Sequence, residues 1–211
     1  MKKENLIEKK AKEIMDIAKG LNLSRDIDLS GKLVIVDAGH GGEDPGAVGQ
    51  NGLKESEVAL KVAYLVGYKL KKMGARVVLT RPTNEFITLK ERVEIAKEGE
   101  NREADCFVSI HCNAVANRDV SGIETYHYRN SSTGPELADS IQTSIMALFD
   151  ENKDRGVKGA GLYVTKYTPM PAVLTELEFI SNPEMEKKFK NPNIIYKYTE
   201  AISEGIIDYI K

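Results

Sequence analysis

Residues 34–48 read VIVDAGHGGEDPGAV, an apolar run rich in β-branched residues that breaks at Gly39 into a loop with four glycines, His40 standing at the break. The first half has strand composition. The second half can continue neither as strand nor as helix, because glycine and proline weaken both. A strand that ends in this way presents an imidazole at the rim of a sheet with little backbone bulk around it. His40 is therefore the first candidate functional residue.

Outward from this stretch the chain alternates. Strand-like runs occur at 33–38, 75–80, 105–111, 122–128, 161–167 and 172–180, mostly β-branched or aromatic and bounded by Gly, Pro or Asn. Helical periodicity fills the spaces between and after them. Apolar residues at 58, 62, 65 or 66, and 70 mark a helix over 55–73 that Gly74 closes, and Thr88 with Glu91 forms a capping-box signature for a helix to about 98. Further helices are predicted over 135–149, with Pro at the first turn, and over 194–210, where residues 194, 198, 202, 206 and 210 make one apolar stripe. Strands alternating with helices predict an α/β domain, its mainly parallel or mixed sheet covered on both faces. In such sheets ligands bind beyond the carboxyl ends of strands, which is where His40 sits.

Composition narrows the function classes. The 211 residues are 41% hydrophobic, enough for one sizeable core, and no compositional break separates a second domain. Lys plus Arg number 30 against 32 Asp plus Glu, so a nucleic-acid partner is not expected. No apolar run exceeds five residues, which predicts no membrane span, and no secretory signal is visible behind the opening Met-Lys-Lys. Cys106 and Cys112 share one predicted strand; six residues apart they lie about 20 Å from each other, too far to bridge, and are expected to be small buried side chains. Residues 1–30 stand apart: Leu6 or Ile7, Ala11, Ile14, Ala18 and Leu21 predict an amphipathic helix expected to pack on the main domain, a partner surface or spacer being the alternative, with a domain proper over 31–211.

His111 repeats the placement of His40 at the end of the run CFVSI, so two of the three histidines fall at the carboxyl ends of different strands. That placement points to a metal site, a structural role being the alternative. Glu55 begins the helix that follows the glycine loop. Glu176 interrupts an apolar run, where a carboxylate is costly to bury unless paired, ligated or protonated. The loop itself lacks the last glycine of a dinucleotide fingerprint and the Lys-Ser/Thr of a phosphate loop. His127, between Tyr126 and Tyr128 in a predicted strand, reads as a surface or partly buried residue.

Five ordered stretches, IVDAGHGGEDPGAVG (35–49), LKE (53–55), VVLTR (77–81), FVSIHCNA (107–114) and PAVLTELEFISNP (171–183), resemble the zinc-dependent N-acetylmuramoyl-L-alanine amidases of the bacterial cell wall. The resemblance covers about residues 31–211. It implies a six-stranded mixed sheet flanked by helices, one zinc ion per chain held by His40, Glu55 and His111, and Glu176 as general base. The reaction implied is hydrolysis of the amide between N-acetylmuramic acid and the L-alanine of peptidoglycan. A silent peptidoglycan- or partner-binding module and a zinc peptidase acting on stem peptides are the alternatives. Asp37 and Asn113, each near a ligand, orient it or serve strand-end turns, and Arg81 is expected in a structural ion pair. Glu178 departs from the family, where a small residue is usual. It would share a face with Glu176 on a regular strand, and is expected to reach solvent rather than to raise the pKa of Glu176. Only 64 residues separate His111 from Glu176, too few for the inhibitory helix that some members carry, which leaves the N-terminal helix as a regulatory element or the site of a regulatory or targeting protein partner. The place of action implied is extracytoplasmic, at the cell envelope or spore wall.

Overall fold

The computed structural model describes residues 27–98 and 104–211. Six strands, β1 (Leu33–Ala38), β2 (Arg76–Leu79), β3 (Cys106–Asn113), β4 (Ile123–Tyr128), β5 (Asp154–Ala160) and β6 (Ala172–Phe179), form one sheet in the order β2-β1-β3-β6-β4-β5. Every neighbouring pair is parallel except β4 and β6. Helices α1 (Glu55–Lys72), α3 (Gly134–Leu148) and α6 (Pro192–Ile210) cover one face, with α5 (Pro183–Phe189) against α6, while α2 (Leu89–Glu98) and α4 (Tyr163–Tyr167) cover the other.

Alternation along β1 divides the core between the faces. Val34, Val36 and Ala38 join the larger cluster under α1, α3 and α6, and Leu33 and Ile35 join the smaller one with Phe107, Val164 and Leu174. Each of these side chains larger than alanine, removed from water, contributes about 1.5–3 kcal/mol. Both cysteines are free and buried, as expected. The Thr88–Glu91 capping box forms as predicted: the Glu91 carboxylate accepts from the Thr88 amide and hydroxyl at 2.8 and 2.6 Å.

Three expectations change. The fifth strand lies at 154–160 rather than 161–167, and Tyr163–Tyr167 is a short helix. β5 is an edge strand with two glycines and no apolar alternation, so its sequence has no strand signal, and its structure comes from pairing with β4. The run Tyr-Val-Thr-Lys-Tyr has strand composition, but Val164 and Thr165 are buried as one face of a helical turn. Helix α5 was not anticipated, although its Asn182-Pro183 start is a helix signal: the Asn182 side chain accepts from the Glu184 and Met185 amides. The helix expected near the N-terminus lies outside the described residues, but Leu29 does not stand apart. It is 1% exposed within the larger core, and its amide donates to Met73 O at 2.7 Å.

Candidate metal centre and active site

The parallel strands β1, β3 and β6 bring His40, His111 and Glu176 to one rim of the sheet. β1 and β3 pair from Val34–Cys106 to Ala38–Ile110, and His111 stands directly beside Glu176 in the β3–β6 register. Glu55, the first residue of α1, reaches the same place. Its Oε1 lies 3.1 Å from His40 Nε2 and 2.9 Å from His111 Nδ1, so two imidazoles converge on one buried carboxylate oxygen. Donor atoms of His40, Glu55 and His111 all fall within 4.8 Å of one another.

The backbone around these residues is built for close approach. His40 has φ 58°, in the left-handed region that non-glycine residues rarely occupy. A Cβ at Gly39 would come within 2.3 Å of the His111 ring, so only glycine lets that imidazole lie against β1. Gly46, at φ 65°, leaves space for the Glu55 carboxylate and the His40 ring, each of which a Cβ would meet at 2.7 Å. Glu55 is fixed by the backbone as well: Ala47 N donates to Oε2 at 2.9 Å and Cys112 N to Oε1 at 3.1 Å. His40 Nδ1 is bonded to Asp44 Oδ2 at 2.7 Å. A carboxylate behind one ring nitrogen orients the other toward a metal.

Two buried arginines hold the turn at the end of β1. Arg81 donates to the carbonyls of Ala38, Gly39, Ser56 and Thr83, and Arg92 to those of Ala38, His40 and Ile87. Arg81 thus serves backbone carbonyls rather than the ion pair expected, and burial depresses its pKa to about 10, with Arg92 adding to the effect. The ion pair belongs to Arg92, which meets Asp37 at 2.7 Å with both groups buried. Burial opposes the charge of Asp37, but Arg92 and the hydroxyls of Ser109 and Thr80 hold its pKa below the ordinary value.

The electrostatics fit a cation site. Burial works against the charge of Glu55, yet hydrogen bonds from His111 and His40 keep its carboxyl far below the usual carboxylate range. Burial likewise opposes protonation of His40, but Glu55 and Asp44 outweigh it and raise its pKa to about 9. Glu176 behaves oppositely. Burial, reinforced by Glu55 and Glu124 and opposed by His111 and His40, pushes it up to about 7. Its Oε2 is buried without a hydrogen-bond partner among the described residues. Two imidazoles and one carboxylate, with a second carboxylate oxygen left unpaired beside them, match the donor set of a catalytic zinc site. A cavity of about 360 Å³ opens beside His40 and His111, walled by Phe86, Ile87 and Leu89 before and at the start of α2 and by Leu162, Tyr163 and Val164 around α4.

The remaining candidates go elsewhere. Among the described residues Asp37 hydrogen-bonds Thr80, Arg92 and Ser109 rather than a histidine. Asn113 donates to Glu124 Oε1 at 2.7 Å, and its own Oδ1 accepts from Ala114 N, a turn contact. His127 sits on β4, partly buried, its Nδ1 against Tyr128 O. Glu178 neither reaches solvent nor shares a face with Glu176. The register of β6 against β3 slips by one residue between His111 and Asn113, a bulge that turns Glu178 toward α3 and α6. There its Oε2 accepts from Gly122 N at 2.7 Å and Phe179 N at 3.1 Å, and its Oε1 from Asn152 Nδ2 at 2.9 Å.

Sequence reasoning missed Asp44, Arg92 and Glu186. Asp44 lies one helical step from His40 in the glycine loop, a spacing that marks it in hindsight. Glu186, fully buried on α5, accepts from Asn51 N at 2.9 Å and Leu53 N at 3.2 Å and so anchors the segment that delivers Glu55. No local signal connects residues so distant in sequence.

Residues 34–208 match the family model described as N-acetylmuramoyl-L-alanine amidase. The amidase LytC of Bacillus subtilis is 40% identical over 183 residues, 86% of this chain and 36% of LytC. Among solved structures, the amidase AmiC2 of Nostoc punctiforme superposes with a TM-score of 0.80 at 38% identity, over 85% of this chain and 98% of that one. The CwlD amidase of Clostridioides difficile, solved in complex with the GerS lipoprotein, superposes at 0.79 with 30% identity, over 85% and 98% of the two chains. With the fold, the converging histidines and glutamates and these likenesses together, the chain belongs to the N-acetylmuramoyl-L-alanine amidase family.

Proposed function

We propose that this protein hydrolyses the amide joining N-acetylmuramic acid to L-alanine in peptidoglycan, with one zinc ion held by His40, Glu55 and His111 and with Glu176 as general base. The observation that carries the reading is the unpaired, buried Oε2 of Glu176 beside a carboxylate on which two imidazoles converge. Bound zinc supplies Lewis acidity toward the scissile carbonyl. Glu176, raised to about 7, is matched to accept a proton from the attacking water and return it to the leaving amine of L-alanine. Asp44 holds the His40 ring from behind, and Arg81 and Arg92 hold the turn that carries it. Phe86, Leu89 and Tyr163 wall the adjoining cavity and give the substrate an apolar surface beside the reacting group.

Because peptidoglycan lies outside the membrane, the place of action is extracytoplasmic. The CwlD complex supports a protein partner for this chain, and of residues 1–30 we assign the part before residue 27 to regulation or targeting, since Leu29 already belongs to the core of the catalytic domain.

Mass spectrometry of muropeptides after digestion tests the reading. The expected products are lactyl-terminated glycan and peptides with a free L-alanine amine, lost on chelation. Glu176→Gln should keep its zinc while turnover falls by about 10² to 10⁴. Products that retain L-alanine on the sugar would identify a peptidase instead, and absence of any product from zinc-loaded protein would favour a binding module.

A further inference from the structure

One charged cluster next to this centre enters the hydrolysis above only through the charge of Glu124 near Glu176. Glu124, on β4, is 2% exposed and stands opposite Glu176 in the antiparallel β4–β6 register. Its Oε1 accepts from Asn113 Nδ2 and from the Tyr126 hydroxyl, each at 2.7 Å. Its Oε2 accepts from Arg155 Nε at 2.6 Å and from Lys158 Nζ. Two cations from the edge strand β5 therefore share one carboxylate, which leaves the cluster with an excess positive charge beside the proposed base.

The excess is aimed. The Arg155 guanidinium lies over the Phe179 ring, 4.9 Å from its centroid, and its stem crosses Gly122, where a Cβ would meet it at 2.7 Å. With Nε tied to Glu124, the side chain is held on three sides. Its two terminal nitrogens make no hydrogen bond among the described residues, and the side chain remains 26% exposed. An immobilised guanidinium with its outer edge uncommitted is a receptor for a carboxylate, because the planar fork matches both oxygens and little ordering remains to be done on binding. Lys158, 37% exposed, adds a second cation with further N–H bonds to give.

We propose that Arg155, with Lys158, forms a carboxylate-binding subsite for the stem peptide of the substrate, and that Glu124 is the positioning residue that aims it. The inference rests on the amidase reading. The glycan beside the scissile bond is neutral once its lactyl carboxyl is engaged in the amide, so the peptide is the source of anionic groups. The residue after L-alanine carries a carboxylate near the reacting bond, and amidation removes that charge while keeping its shape.

Two soluble N-acetylmuramoyl peptides, identical except that this carboxylate is free or amidated, provide the test. The parent enzyme should favour the free acid by about 10- to 100-fold in kcat/KM, the range of a charge-assisted pair. Arg155→Met should bring the ratio close to one, and Arg155→Lys, which keeps charge but not the fork, should fall between. Glu124→Gln should lower the ratio although both cations remain, an effect that a purely structural role would not have. Zinc content and cooperative unfolding of each variant show that the fold persists. A parent ratio near one, or a ratio that survives Arg155→Met, overturns the proposal. If the parent cleaves neither substrate, the amidase reading has failed instead, and calorimetric binding of the two free peptides to parent and Arg155→Met decides the subsite by the same comparison.

Discussion

Glu178→Ala separates a structural carboxylate from a catalytic one two positions away. The substitution removes the acceptor of three donors, the amides of Gly122 and Phe179 and the side chain of Asn152. Asn152 can turn to find another partner, but the two backbone amides cannot. A buried amide left unpaired costs about 1–3 kcal/mol, so the loss should be about 2–5 kcal/mol. For a domain of this size each kcal/mol moves the melting temperature by about 2–4 °C, which predicts a fall of roughly 4–20 °C. Glu178→Gln should be much milder. Asn152 Oδ1 is buried without a hydrogen-bond partner among the described residues, and a flip of the Asn152 amide, which now faces Glu178 with Nδ2, lets Oδ1 accept from the new side chain. Calorimetry of the two variants, paired with zinc analysis and turnover measured well below melting, checks the ordering. Both should retain metal and turnover. The reasoning fails if Glu178→Ala melts like the parent yet loses more than tenfold in kcat, because the side chain would then act on the chemistry despite the bulge that turns it away.

Other outcomes follow from the same geometry. His111→Ala should lose most of its zinc, and Glu55→Gln should lose metal as well, since it weakens a donor on which both histidines converge; metal analysis that found full occupancy in either would remove it from the ligand set. A chain beginning at residue 27 should unfold with the cooperativity of the full chain, whereas one beginning at residue 31 lacks Leu29 and should be less stable by about 1.5–3 kcal/mol, measured by denaturant titration.

Much of the site was legible because its signals are local. A strand that runs into glycines around a histidine, a second histidine at the end of another strand, and a glutamate inside an apolar run each need only a few neighbouring residues to be noticed. Alternation and helical period likewise placed five of the six strands and the long helices, since burying one face of a segment requires that pattern whatever lies across from it. The likeness to a family then supplied roles that spacing alone left open.

Where a side chain's partner comes from a remote segment, only the tertiary structure decides. β5 is a strand because β4 offers it an edge, while the more strand-like run after it winds into a helix on the sheet. Arg81 turned from the expected carboxylate to four carbonyls that three segments bring together, Ala38 and Gly39 at the end of β1, Ser56 in the first turn of α1 and Thr83 beyond β2. Glu178 shows the limit most plainly. Period-two reasoning puts it beside Glu176, and one extra residue in the β3–β6 register, visible only once both strands are paired, carries it to the opposite face of the sheet.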